Sequence, residues 1–169
     1  YPYIVGLGLF GVTVVLYTSL GGFRAVAFTD AVQGVVMLVA AVLVLLAVME
    51  KGGGMESCIA ALERIDPGLI TPSGPDGAVP RPFILSFWIL VGLGVLGLPQ
   101  TTQRCMAYRD SRSMHQAMLM GTLIIGFMIL CAHLAGALGR AVFPDLPAGD
   151  LAMPTLIVEL LPPFWAGVF

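Results

Sequence analysis

Tyr17-Thr18-Ser19-Leu20-Gly21-Gly22-Phe23-Arg24-Ala25-Val26-Ala27-Phe28-Thr29-Asp30-Ala31-Val32-Gln33 decides how the chain is read, because it separates two long apolar runs, Tyr1 to Leu20 and Ala31 to Met49. Arg24 and Asp30 within it are the only charges between residues 1 and 49. Gly21 and Gly22 carry no side chain, so the backbone there can reverse or come close to a neighbour. Thr29 or Asp30 is placed to cap the next helix. With Asp30 at the N-cap, Gln33 falls at the third helical position, the spacing of a capping box. An anionic side chain there also faces the positive helix end. On these residues alone two readings stand: a helical hairpin with a tidy turn, or a carboxylate at a helix start that touches a cation pathway.

Working outward, the chain has 58% hydrophobic and only 11% charged residues, and a mean hydropathy of +0.96. Soluble domains carry roughly 25% charged residues, so the chain reads as embedded in a lipid bilayer. Ala31 to Met49 contains no charge and spans about 28 Å as a helix, close to the ~30 Å hydrocarbon thickness. The composition and hydropathy predict an all-α membrane protein with about four complete membrane helices, at 1–20, 31–49, 83–102 and 114–138. The start of another is expected at 164–169. Tyr1-Pro2-Tyr3 offers no basic n-region of a signal peptide, and the apolar run continues past it. The chain is therefore expected to be an internal piece, residues 1–169, of one transporter-like domain.

The four crossings differ in character. The first holds Gly6, Gly8 and Gly11, which suit close helix packing, and the second is a plain Val, Leu and Ala helix. The third holds Gly92, Gly94, Gly97 and Pro99. Pro99 removes a backbone bond, so this helix is expected to be broken, and broken membrane helices expose polar backbone to a substrate or ion. Ser111 or Ser113 is the expected cap of the fourth, which carries His133; that imidazole is expected to be an interhelical hydrogen bonder.

Met55 to Ile65, in the long connection 50–82, places Met55, Ile59, Leu62 and Ile65 on one side and predicts a short amphipathic helix at the membrane surface. Pro67 to Pro82 is turn and coil, and Thr155 to Leu161 is a short helix ended by Pro162-Pro163. Cys58, Cys105 and Cys131 have no metal-ligand spacing, no metal cluster is legible, and the net charge of −2 gives no basic face for nucleic acid. The short connections hold Arg24, Arg104, Arg109 and Arg112 against Asp30 and Asp110, while the other two are mostly acidic. Positive charge on short loops assigns the first and third connections to the cytoplasm.

Tyr17-Thr18, Gly21-Gly22, Ala25-Val26, Thr29-Asp30 and Gln33 match the pattern YTxxGGxxAVxxTDxxQ. In this, and in Gln103-Arg104 after the broken helix, the chain resembles the sodium:solute symporter family. The resemblance implies a partial leucine-transporter-type inverted-repeat fold, comprising helices four to seven of a ten-helix core and the approach to helix eight. It implies sodium-coupled uptake, without a cofactor and with sodium as the coupling ion, in a multi-pass protein of the plasma membrane, such as a bacterial inner membrane. The family's principal sodium site uses helices one and eight, so no metal ligand of that site is expected within this chain. An ion-exit or gate role is implied for Asp30, Gln103 and Arg104. The irregular end of helix three makes Gln100, Thr101 and Thr102 the expected substrate wall.

Gly97 to Cys105, Tyr108 to Ser111 and His133 to Leu146 resemble most the members that carry a small carboxylate, pantothenate foremost. Sugar carriers have Asn-Gln where this chain has Leu98-Pro99. The expected partners are thus a small-molecule carboxylate, sodium and the lipid bilayer. Proline or another monocarboxylate as substrate, and a membrane sensory module of the same fold, stand as alternatives.

Overall fold

A computed structural model describes residues 3–145 and 149–169. The first two residues of the expected first crossing, Tyr1 and Pro2, and Leu146 of the stretch that carries the resemblance, lie outside the described residues. Helices account for nearly all the rest: α1 (Tyr3–Lys51), α2 (Met55–Ile65), α3 (Arg81–Gly94), α4 (Pro99–Met106), α5 (Ser111–Val142), α6 (Ala152–Leu160) and α7 (Pro163–Val168). Single 3₁₀ turns occupy Pro67–Ile70, Pro75–Gly77, Val95–Gly97 and Gly149–Leu151. The all-α class follows from the sequence, since a lipid-facing backbone has to satisfy its hydrogen bonds internally.

By length and composition α1 and α5 are long and apolar enough to cross a membrane, and α3 with its 3₁₀ turn plus α4 makes a third candidate, bent by 54°. The expected first and second crossings fall within the single helical run α1. Its one non-helical residue is Gly22, at φ 59° and ψ −162°. That conformation is open almost exclusively to glycine. A Cβ on neighbouring Gly21 would collide with the Cβ of Ala25. The glycine pair therefore breaks the helix as its lack of side chains suggests, but no loop follows. Phe23 to Asp30 is helical, because one glycine supplies the whole change of direction and the alanines after it favour helix. This corrects the capping expectation: Asp30 stands inside the helical run, and the Thr29 hydroxyl donates to the Ala25 carbonyl at 2.9 Å in the manner of a mid-helix threonine.

The described chain divides into two compact units, 1–40 and 41–169. The first consists of α1 up to Ala40 and has no buried residue. The second has a small packed cluster in which Val44 and Val48 of α1, Cys58 and Leu62 of α2, Ala135 and Leu138 of α5, Leu156 of α6 and Leu161 meet. Helix α2 is amphipathic as predicted, yet its buried face is Cys58 and Leu62, while Met55, Ile59 and Ile65 remain partly exposed. Burial thus follows the neighbour α2 actually meets, the end of α5, which contributes small residues. Gly139 of α5 allows the close approach of α6 to the same cluster: a Cβ there would lie 2.9 Å from Cδ1 of Leu156, a side chain with no exposed surface.

Elsewhere large apolar side chains stand open, among them Leu20 at 86% and Met106 at 80% exposure. A surface of this kind belongs in lipid or against other helices. Two glycines carry testable consequences. Gly22→Ala should destabilise the full-length protein by about 1–3 kcal/mol through backbone strain, and Gly139→Val by about 1–3 kcal/mol through overpacking against Leu156. Thermal unfolding in detergent should show both midpoints lowered, with Gly136→Ala, whose added Cβ meets open space, close to the parent.

Candidate functional site: the broken helix and its connection to α5

Helix α3 loses its regular hydrogen bonding at its C-terminal glycines. Pro99 has no N–H to give to the Val95 carbonyl. That oxygen instead accepts from the Leu98 N–H at 3.2 Å, closing the 3₁₀ turn. Leu98 is extended, at φ −75° and ψ 128°, as the residue before a proline prefers. Pro99 then begins α4 at a position where its missing N–H costs nothing. The Leu98 carbonyl accepts from Thr101 N–H at 3.0 Å and Thr102 N–H at 3.3 Å. The predicted break of the third helix is therefore present, and its cause is the predicted proline.

Gln100, Thr101, Thr102, Gln103 and Arg104 all lie on α4. Thr101 is half-buried and the others are exposed. A helix start carries partial positive charge from its aligned peptide units, so the Gln100 to Thr102 turn combines amide and hydroxyl groups with that charge. The arrangement suits an anionic or polar ligand better than a cation. Gln103 and Arg104 follow toward the C-terminal end. In the other unit, Tyr17 and Thr18 precede the Gly22 break while Thr29, Asp30 and Gln33 follow it. The Thr18 hydroxyl donates to the Val14 carbonyl at 2.7 Å, and Asp30 and Gln33 are exposed.

The α4–α5 connection holds a residue that the sequence reading passed over. Asp110, not Ser111 or Ser113, is the N-cap of α5: its carboxylate accepts from Ser113 N–H at 2.7 Å. The bonds from the Ser113 backbone and side chain hold its pKa below the ordinary carboxylate value. The preference of aspartate for this position was the available signal. One turn on, a ring nitrogen of His115 lies 2.7 Å from the Ser111 carbonyl. Since a carbonyl only accepts, Nδ1 carries the proton.

His133 is satisfied in the same way within its own helix, donating from Nδ1 to the Ile129 carbonyl at 2.8 Å. The expected interhelical partner is thus replaced by a carbonyl of the preceding turn. An open groove of about 570 Å³ runs past His133, Gly136 and Arg140 of α5 and Ala152 and Met153 of α6. Another, of about 460 Å³, is lined by Glu50, Lys51 and Glu159. Neither includes the Gln100 to Thr102 turn. Among the described residues no cluster of His, Cys, Asp and Glu could hold a metal ion, and Cys58 and Cys131 are buried free thiols while Cys105 is exposed.

Comparison with known proteins places these features in a lineage. The whole chain, residues 1–169, matches the sodium:solute symporter family, and the chain belongs to that family. It is 49% identical over 167 residues to a sodium/pantothenate symporter of Haemophilus influenzae, covering 99% of this chain and 34% of that protein. It is 48% identical over 168 residues to the sodium/pantothenate symporter of Escherichia coli, covering 99% of this chain and 35% of that one. An osmoregulated proline transporter of Bacillus subtilis is 33% identical over 139 residues, covering 82% of this chain and 27% of the transporter. The chain spans about a third of the length of the sodium/pantothenate symporters it matches. No solved structure matches it. The family to which the chain belongs is one of symporters rather than of enzymes.

Capping by Asp110 predicts a pH dependence of fixed sign. A carboxylate with a lowered folded-state pKa stabilises above its unfolded value, and the contribution is lost as the pH falls through the folded one. The protection of the Ser113 amide against hydrogen exchange, relative to its intrinsic rate at each pH, should therefore be high at neutral pH and fall below the ordinary carboxylate range. In Asp110→Ala it should be low throughout, and in Asp110→Asn high with the acid dependence removed.

Proposed function

We propose that this chain, as part of a sodium:solute symporter, contributes the broken third helix and the first two turns of α4 to sodium-coupled uptake of a small carboxylate, with pantothenate as the substrate. The observation that carries the reading is the near-half identity, along almost the whole chain, to two proteins named as sodium/pantothenate symporters. The chemistry of α4 supports it. A carboxylate approaching Gln100, Thr101 and Thr102 would meet amide and hydroxyl donors at the positive end of a helix. No bond is made or broken in such a cycle; work comes from the ion. Each sodium charge entering an inward-negative cell gains about 2.3 kcal/mol per 100 mV, in addition to its concentration gradient.

In this reading α1 holds two crossings that meet at Gly22, α3 with α4 is the third and α5 the fourth. The arginine-bearing connections then lie in the cytoplasm, following the positive-inside rule. Asp30 acts near the ion exit, Gln103 and Arg104 act at an inner gate, and the principal sodium ligands belong to other parts of the protein. A plasma membrane location in a bacterium fits the organisms of the two sodium/pantothenate symporters. Proline is the second substrate class, favoured by the likeness to a proline transporter.

Proteoliposomes containing the full-length protein should accumulate labelled pantothenate under an inward sodium gradient and not without one, and excess proline should not compete. Uptake indifferent to sodium, or blocked by proline alone, would sink the proposal. Gln100→Ala and Thr101→Ala should raise the KM for pantothenate about tenfold, the loss of roughly one charge-assisted hydrogen bond. Unchanged KM in both would remove α4 from the substrate wall. For Asp30→Asn, the expected change is a right-shifted sodium dependence of uptake at normal protein abundance; a parental sodium curve would leave Asp30 a structural role.

A further inference from the structure

The junction of α4 and α5 carries two arginines, Arg109 and Arg112, on either side of Asp110. Arg104, Arg109 and Arg112 fall within one short stretch, and Asp110 is the only carboxylate between Asp76 and Asp145. That carboxylate is turned to the start of α5, where it accepts from Ser113 N–H at 2.7 Å. Arg109 and Arg112 are exposed. Among the described residues, neither guanidinium has a hydrogen-bond or ion-pair partner. At the far end of α5 the balance differs, since Arg140 is followed closely by Asp145 and Asp150.

The depth of the segment is set by α5 itself. Its 32 residues make a rod of about 48 Å, which overruns the ~30 Å hydrocarbon layer. The apolar run begins only after His115 and Gln116, so Arg109 and Arg112 precede the apolar part of the helix. Met106 is 80% and Tyr108 40% exposed beside them. An exposed methionine and tyrosine next to unpaired arginines suit the boundary between acyl chains and headgroups, where tyrosine is enriched.

We propose that Arg109 and Arg112 bind the phosphate of an anionic phospholipid in the leaflet that meets this end of α5, with Met106 and Tyr108 against its upper acyl chain. Guanidinium matches phosphate oxygens with paired N–H groups. The lipid supplies negative charge beyond the one carboxylate, Asp110, that is committed to the cap, and its hydrocarbon meets the two exposed side chains. This inference does not rest on the substrate or on the direction of transport.

The test uses the full-length protein reconstituted in nanodiscs of mixed phosphatidylglycerol and phosphatidylcholine, with retained lipid counted by native mass spectrometry. The parent should retain phosphatidylglycerol preferentially. Arg109→Gln/Arg112→Gln should lose that preference by about 25-fold, at about fivefold for each charge near the surface, while Arg109→Lys/Arg112→Lys should keep most of it. Unchanged retention in the Gln pair would overturn the proposal. So would equal loss in the Gln and Lys pairs, which would make the arginines structural, or full displacement of the lipid by millimolar inorganic phosphate, which would make this a site for a soluble anion.

Discussion

Backbone hydrogen bonding in a medium without water is the constraint on which the rest of this chain depends. A peptide group left unpaired in hydrocarbon costs several kcal/mol, so the apolar runs are helical and any interruption has to re-pair what it frees. Two interruptions show how this is done. At Leu98-Pro99 the orphaned Val95 carbonyl is taken by the N–H of Leu98, and the Leu98 carbonyl is shared between Thr101 and Thr102. Around Gly22 the hydroxyls of Thr18 and Thr29 donate back to carbonyls of the preceding turn, which adds partners to backbone that bends.

The same comparison explains what could be read in advance. The break at Pro99 was legible because proline's missing N–H and locked φ act whatever surrounds them. The break at Gly21-Gly22 was legible for the matching reason, that only glycine reaches a φ of 59° with a ψ of −162° without strain. What followed the break was not. A loop and a cap at Asp30 were the local solution, but helix propensity from Phe23 onward made both unnecessary. Asp110 shows the converse: three capping residues, Asp110, Ser111 and Ser113, compete within four positions, and the choice depends on which φ and ψ the connection delivers. The site residues were legible as types on a broken helix; their partners depend on packing that spacing does not encode.

Packing is the least local property of the chain, and the cluster in the second unit makes the reason visible. The predicted face of α2 was drawn through its large apolar residues, Met55, Ile59, Leu62 and Ile65. The face that is buried runs through Cys58 and Leu62, which share a cluster with Ala135 and Leu138 of α5. Small residues permit close approach, and close approach rather than residue size decides which face is covered. In a bilayer the hydrophobicity of a position no longer separates core from surface, so Leu156 at 0% and Leu20 at 86% exposure look alike in sequence.

The distribution of that packing bears on mechanism. The ends of α1 and α5 are tied to α2 and α6 by the cluster around Val44, Val48, Cys58, Ala135 and Leu156, whereas α3, its 3₁₀ turn and α4 contribute no buried residue. Elements that move during function are drawn from the parts of a structure with few buried contacts. The broken helix meets that description by its lack of buried residues, and Leu98, at φ −75° and ψ 128°, is the one extended residue between its two parts. A rotation there would carry Gln100, Thr101 and Thr102 together while leaving the bonds of the first turn of α4 intact. The proline that breaks the helix therefore separates α3 from α4, and in the proposed function the polar groups that meet the carboxylate lie on the latter.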